Sequence, residues 1–173
     1  MRRLKLCAAT VGALLFACSP ALNWREVRPE GSGAVAMFPC KPTVQTRRTT
    51  LAGAAVSMTL VACSADGVTF ALGHAELGDP SRVSAALVEL RSALAANLEA
   101  SDVRAAAFEV PGMTPNPQAQ RIWLDGLRPD GTPAQEQAAL FARGTRVYEA
   151  AVLGPRLDEA AAGVFFEGLR LAP

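Results

Sequence analysis

The stretch AVSMTLVACSADGVTFALGHAEL, residues 55–77, decides the fold of this chain. Its first half alternates between two sets of side chains with the period of two that is typical of a strand, the first set being Val56, Met58, Leu60 and Ala62. Ala65-Asp66-Gly67 then predicts a tight turn, because Asp-Gly favours the two-residue loops of β-hairpins. The alternation resumes at Val68 and runs to Leu77. The stretch therefore predicts an antiparallel hairpin.

The hairpin is followed by a change of period that predicts a long helix from Pro80 to Glu99. Asp79 is a preferred helix N-cap, and a proline suits the first helical position. Apolar residues then recur at intervals of three and four, at Val83, Leu87, Leu90, Leu94 and Leu98. This stripe predicts an amphipathic helix whose leucines pack into the core.

The rest of the chain reads as further strands and one more helix. Strands are predicted at 24–28, 34–38, 43–51, 103–110, 120–127, 134–143 and 145–153, and the polar 43–51 segment is predicted to lie at a sheet edge. Gly154-Pro155 is predicted to start the second helix, which ends at Gly168 and turns one face inward, with Leu157, Ala161, Val164, Phe165 and Leu169. This order predicts an α+β fold, an antiparallel β-sheet with two main helices packed on it.

The N-terminus has the features of a secretory leader. Arg2, Arg3 and Lys5 precede an apolar run that is too short to span a bilayer. Leu15-Phe16-Ala17-Cys18 resembles the lipobox of bacterial lipoproteins, although Phe16 is unusual there. The resemblance implies lipidation of Cys18, which would tether the protein to a membrane. Cleavage after Ala21 and a buried N-terminal helix are the alternatives.

The leader reading sets the domain organisation and the location. Residues 1–17 are the predicted signal peptide, 18–23 a lipidated tether, and 24–173 a single α+β domain. Ser19 after the cysteine, by resemblance to Gram-negative lipoproteins, implies onward transport to the outer membrane. The predicted location is the bacterial cell envelope, with the domain facing the periplasm.

Charge and cysteine content constrain the mature chain. Removing three leader cations from 17 Lys and Arg leaves 14 against 16 Asp and Glu, so there is no basic surplus for nucleic-acid binding. Of the four cysteines, Cys7 lies in the leader and Cys18 is assigned to lipid. Cys40 and Cys63 remain, and in an oxidising compartment we expect them to form a disulfide. Two independent buried thiols are the alternative.

Two short motifs resemble the PsbP-like and DcrB-like group of bacterial secreted proteins. Ala36-Met37-Phe38-Pro39-Cys40-Lys41-Pro42 stands where that group has a strand ending in Phe-Pro-Gly-Lys-Pro, with Cys40 in place of the glycine. Phe165-Phe166-Glu167-Gly168-Leu169 stands where its last helix ends. The resemblance covers nearly the whole mature chain and implies an α/β/α sandwich. It implies no activity, because function resides in sites and not in folds.

Candidate catalytic chemistry is sparse. His74 is the only histidine, with Glu76 two residues on and on the same strand face. Two such ligands do not make a zinc site, and a partly packed, hydrogen-bonded strand-end histidine is the simpler reading. No serine lies in a nucleophile elbow, and Asp158-Glu159 serves the start of the last helix. We therefore predict no catalytic residues, no cofactor and no metal site.

Two segments are candidate contact surfaces. Arg47-Arg48 fits a charged edge strand, with a lipid-headgroup contact as the alternative, and the 111–117 loop is either a partner-binding loop or a connector.

The predicted function is that of a noncatalytic lipid-anchored envelope protein that binds or helps assemble another envelope component. A small-molecule or metal binding module between helix and sheet is the alternative. A hydrolase, the third reading, has no specific residue in its favour.

Overall fold

The computed structural model describes residues 22–172. Its helices are α1 (Val83–Asn97) and α2 (Glu159–Glu167). Its strands are β1 (Arg25–Val27), β2 (Ala34–Phe38), β3 (Thr43–Leu51), β4 (Ala54–Ala65), β5 (Val68–Glu76), β6 (Asp102–Ala107), β7 (Gln120–Leu127), β8 (Pro133–Arg143), β9 (Arg146–Gly154) and β10 (Arg170–Leu171). The predicted α+β class, an antiparallel sheet with two helices, is confirmed. The predicted leader, Cys18 included, lies outside the described residues.

Seven strands form one antiparallel sheet in the order β3-β4-β5-β9-β8-β7-β6. The predicted hairpin is confirmed at its centre, where Ala65 pairs with Val68. Asp66 and Gly67 have φ angles of 51° and 75°, the positive values that a two-residue hairpin turn needs at both central positions. β3 is an edge strand, as predicted, and β6 forms the opposite edge.

One face of this sheet is covered by α1. The predicted leucine stripe is buried there, with Leu87 1% and Leu94 6% exposed. It packs against the apolar residues of alternate strand positions, among them Ile122, Leu140 and Val147. Burying such a side chain stabilises the fold by about 1.5–3 kcal/mol, so the stripe is a main contributor to the helix's position.

The opposite face is covered by α2 and a small sheet, in which β2 pairs with both β1 and β10. Aromatic rings join the layers edge to face: Phe165 of α2 lies 5.5 Å from Phe38 and 5.6 Å from Phe70, measured between ring centroids. Such pairs add roughly 0.5–1.5 kcal/mol beyond burial alone. The two cores therefore lie on opposite sides of one sheet.

The start of the second helix was wrongly predicted. Gly154 ends β9, and α2 begins only at Glu159, because the Asp158 side chain accepts hydrogen bonds from the backbone N–H groups of Ala160 and Ala161. This N-cap overrides the Gly-Pro signal.

The predicted inner face of this helix is also partly wrong. Val164 is 42% exposed, while Ala162 and Phe166 are buried with Phe165. Gly168 does end the helix, where a Cβ would lie 2.5 Å from Cγ of Met37. The helix end therefore packs too closely on β2 for a larger residue.

The structure differs from the prediction at other points as well. The long helix opens with a 3₁₀ turn, Pro80–Arg82, capped by Asp79, and its α-helical part ends at Asn97. The strand predicted to reach Val110 ends at Ala107. The two-residue β10 was not predicted, because a strand so short has no periodicity.

Candidate functional site

A cleft between α1 and the edge of the large sheet is the best-formed cavity for a small ligand. Its volume is about 390 Å³, within the range of roughly 300–1,000 Å³ that is usual for ligand sites. Met58 and Leu60 of β4 form one apolar wall, and Leu90 and Leu94 of α1 form the other. The side chains of β3 and the exposed face of α1 give the rim its polar groups: Gln45, Arg47, Thr49, Glu89 and Asn97.

Pairing across the sheet explains how the cleft forms. Gln45 pairs with Leu60, Leu60 with Gly73, and Gly73 with Glu149, so these positions form one row across β3, β4, β5 and β9. Because Gly73 has no side chain, the terminal methyl of Met58 can lie over it, and a Cβ there would be 3.0 Å from Cε of Met58. The row thus brings a carboxyl group to the floor of the cleft, between its two apolar walls.

The cleft end near the β3–β4 turn is held by α1. The Glu89 carboxylate accepts a hydrogen bond from the backbone N–H of Ala52 at 2.7 Å. The Arg82 guanidinium, at the start of the helix, donates to the Ala52 carbonyl at 2.8 Å. These bonds fix the distance between helix and edge strand, so the cleft is pre-formed.

Glu149 is the unusual residue of the cleft. Within residues 22–172, its carboxylate has neither an ion-pair partner nor a hydrogen-bond donor. Burial raises the pKa of Glu149 to about 7, although the positive charge of Arg47 opposes that shift. The side chain therefore changes charge near neutral pH.

A second buried carboxyl group, Glu136, lies on the same sheet face but does not line the cleft. It is 7% exposed, and burial, with the charge of Glu149 second, raises the pKa of Glu136 to about 7. Neither acid was predicted as a site residue. A signal was present in the strand alternation. Glu136 stands two residues from both Ala134 and Ala138, and Glu149 stands two residues from both Val147 and Ala151. All four of these neighbours are core positions.

The two predicted disulfide cysteines are joined. Cys40, just after β2, is bonded to Cys63 of β4. The bond links the small sheet to the large one, and the alternative of two independent thiols is wrong. Cys40 stands where the related motif has glycine, but positive φ angles at non-glycine residues occur only at Ala52, Asp66 and Glu99 among the described residues. The cysteine therefore meets no backbone strain.

His74 and Glu76 do share a strand face, but they form no metal site. Glu76 accepts hydrogen bonds from Thr145 and Gly78 and pairs with Arg146 at 3.2 Å. Part of the prediction for His74 is wrong: the ring is buried against Tyr148, and its Nε2 has no hydrogen-bond partner within the described chain. Burial, with nearby Arg146, lowers the pKa of His74. Across residues 22–172, no group of three or more His, Cys, Asp and Glu is placed to hold a metal ion.

A second depression, of about 550 Å³, lies beside these residues. It is broad and open, and several of its polar groups already bind one another. Tyr148 donates from its hydroxyl to the Ser32 carbonyl at 2.6 Å, and Arg146 donates to the same oxygen at 3.2 Å. Because it is open and Glu76, Arg146 and Tyr148 are already paired, this depression is a weaker candidate than the cleft.

The structure also places the other residues that the sequence offered as candidates. Arg47 lines the cleft, whereas Arg48 is the next residue along β3 and so lies on the opposite face. The 111–117 loop is fastened at two points, since Thr114 donates its backbone N–H to the Ala142 carbonyl and Leu171 donates to the Pro111 carbonyl, each at 2.8 Å. These bonds favour the connector reading. Asp158 and Glu159 stand at the start of α2, as predicted, because the first is its N-cap and the second is the acidic residue of its first turn.

Comparison with known proteins gives no match that would assign a ligand or a function to the cleft. No protein-family model matches the chain, and no curated protein sequence matches it. Between residues 22 and 172, none of the helices is both long and apolar enough to cross a bilayer. The functional reading therefore depends on the leader motif and the cleft.

Proposed function

We propose that the protein is a noncatalytic, lipid-anchored protein of the bacterial cell envelope whose domain binds a small ligand in the cleft between α1 and the sheet. The observation that carries the binding part is the cleft itself, with two apolar walls and an unpaired carboxyl group at its floor. A largely pre-formed cleft that combines apolar walls with placed polar groups is the usual form of a small-molecule site. A small-molecule or metal binding module between helix and sheet was the alternative function predicted from the sequence.

The anchor part of the proposal depends on the lipobox-like residues. Lipidation of Cys18 would hold the domain at the membrane surface through the short tether of residues 18–23, and the residue after Cys18 favours the outer membrane. The fold is proposed to be a PsbP-like α/β/α sandwich. One helix on each side of the sheet, and the motif at residues 36–42, support this assignment.

The second candidate function is the binding or assembly of another envelope component. It is favoured by β3, an edge strand whose residues 43–50 are all exposed. Such an edge has unpaired backbone groups that could pair with an extended segment of a partner. Val44, 63% exposed, would contact that segment.

Ligand binding is tested on the purified full chain with a panel of small molecules, by thermal shift and calorimetry. Ala93, on the exposed side of α1, lines the cleft, so Ala93→Trp should fill it and abolish binding without disturbing the core. Ala96→Trp is the matched control, because Ala96 is exposed on the same helix and outside the cleft. Binding that survives Ala93→Trp would refute the proposed site.

The anchor is tested by intact mass spectrometry of protein extracted from membranes. We expect a chain that starts at Cys18 and carries acyl groups, and Cys18→Ala should release the protein from the membrane fraction. A chain that starts at Leu22 would instead show cleavage after Ala21, and one that keeps Met1 would refute secretion.

A further inference from the structure

The charges of the cleft select among ligands. Three ionisable side chains line it, Arg47, Glu89 and Glu149, which give a net charge of −1 when all are ionised. Glu89 is occupied by its bond to the Ala52 backbone. Arg47 and Glu149 are left for a ligand, and of these two Arg47 lies at the rim while Glu149 lies at the floor, between the apolar walls.

Between residues 22 and 172, no neighbouring element brings a cation to contact distance of the Glu149 carboxylate. On the cleft face, β4 brings Met58 and Leu60 and β5 brings Gly73, none of which is charged. β8 brings another acid, Glu136, which repels. Arg47 on β3 is near enough to favour the ionised carboxylate but forms no ion pair with it. Glu149 is partly buried among apolar walls, so its charge is less well hydrated than on an open surface, and a ligand cation would offset that cost.

We propose that the cleft binds an organic monocation, with an ammonium group paired to Glu149 and a hydrocarbon body packed between Met58 and Leu60 on one side and Leu90 and Leu94 on the other. This inference rests on the proposed function and names its ligand class. A fatty acid or other organic anion that enters head first would place its negative charge against the Glu149 carboxylate. If its head stayed at the rim, its apolar tail would meet that carboxylate instead. A neutral apolar molecule would bury that carboxylate without a partner. A metal ion would find a single carboxylate, which is too few ligands.

The test uses three probes with the same six-carbon body: n-hexylammonium, n-hexanol and hexanoate. Calorimetry on the full chain at pH 8 should show that hexylammonium binds at least tenfold more tightly than the other two. Glu149→Gln should weaken hexylammonium binding at least tenfold. Glu136→Gln, a matched loss of a carboxyl group outside the cleft, should change it no more than about twofold.

The charge state of Glu149 gives an independent readout. With its pKa at about 7, hexylammonium affinity should fall roughly 10- to 30-fold between pH 8 and pH 5.5, as the carboxylate takes up a proton. Binding at pH 7 should release about half a proton, measured by calorimetry in buffers of different ionisation enthalpy. Glu149→Gln should remove both effects.

The outcomes separate the ligand class from the cleft. Equal binding of hexanol or hexanoate, if Ala93→Trp blocks it, would overturn the monocation and leave the cleft as a binding site. Unchanged hexylammonium affinity in Glu149→Gln would also overturn the monocation. If neither these probes nor the wider panel binds, both the ligand class and the proposed ligand-binding function are refuted.

Discussion

Glu136→Gln should stabilise the protein at alkaline pH, because the wild-type side chain must ionise in a buried place. The pKa of Glu136 is raised from 4.5 to about 7, chiefly by burial, so the folded state binds a proton more tightly than the unfolded state. Its contribution to stability is therefore fully present below pH 4.5, falls as pH rises from there to about 7, and stays low above. At about 1.4 kcal/mol per pKa unit, the loss is on the order of 3 kcal/mol.

Glutamine keeps the shape of the side chain and cannot ionise, so the gain should appear only where the wild type is charged. We expect the variant to be more stable by about 2–3 kcal/mol at pH 8 and about equal at pH 4.5. Chemical unfolding of both proteins at several pH values gives the difference profile, in which the titrations of Glu26, Glu76 and Asp79, whose pKa values are lowered, cancel. A difference that is flat with pH, or that grows toward acid, would refute the reasoning.

Three further predictions concern the covalent link and the interior. Replacing both Cys40 and Cys63 by serine should lower the free energy of unfolding by about 3 kcal/mol, since the bridge spans 23 residues; unfolding under non-reducing conditions measures it, and reductant should leave the double variant unchanged. Gly126→Ala should destabilise by about 2 kcal/mol or more, because a Cβ there would lie 2.2 Å from the Leu98 carbonyl oxygen, whereas Gly163→Ala in α2 meets only the Glu167 carboxylate at 3.9 Å and should stabilise by about 0.5–1 kcal/mol. Equal denaturation midpoints for these two alanine variants would contradict the model of packing. His74→Leu should reduce the loss of stability as pH falls below 6.5, because the pKa of His74 is lowered in the folded state and protonation therefore favours unfolding; the same acid sensitivity in wild type and variant would show that another group causes it.

The sequence predicts elements whose cause is local and fails where the cause is distant. The hairpin at Asp66-Gly67 and the leucine stripe of α1 are encoded within a few residues, and both are confirmed. The start of α2 was missed because two local signals compete, Gly154-Pro155 and the Asp158 cap, and only β9, which extends through Gly154, decides between them.

The candidate site shows the same limit more strongly. The disulfide could be predicted by counting cysteines, but the cleft depends on the approach of α1 to β3, which the bonds from Glu89 and Arg82 to Ala52 fix across 37 and 30 residues. Glu149 could have been flagged as an acid in phase with core positions. That it lies beside Gly73, in an open cleft and not under the helix, follows from the pairing of β5 with β9, which no local pattern reveals.

The order of the large sheet has a consequence for how the protein is built. Strands β3 to β5 and strands β6 to β9 are two runs of neighbours in sequence, and they meet only where Glu76 pairs with Arg146 and the rest of β5 follows along β9. Joining them closes a chain segment of about 70 residues, which makes this seam the entropically slowest pairing within the large sheet. We expect substitutions at the seam to leave the hairpins of each run intact early in refolding. Pulsed hydrogen exchange measures this order. Protection of the amides that join β5 to β9 before those within the hairpins would contradict it. The ligand cleft, whose floor lies on that seam, would then form only after the two halves of the large sheet have met.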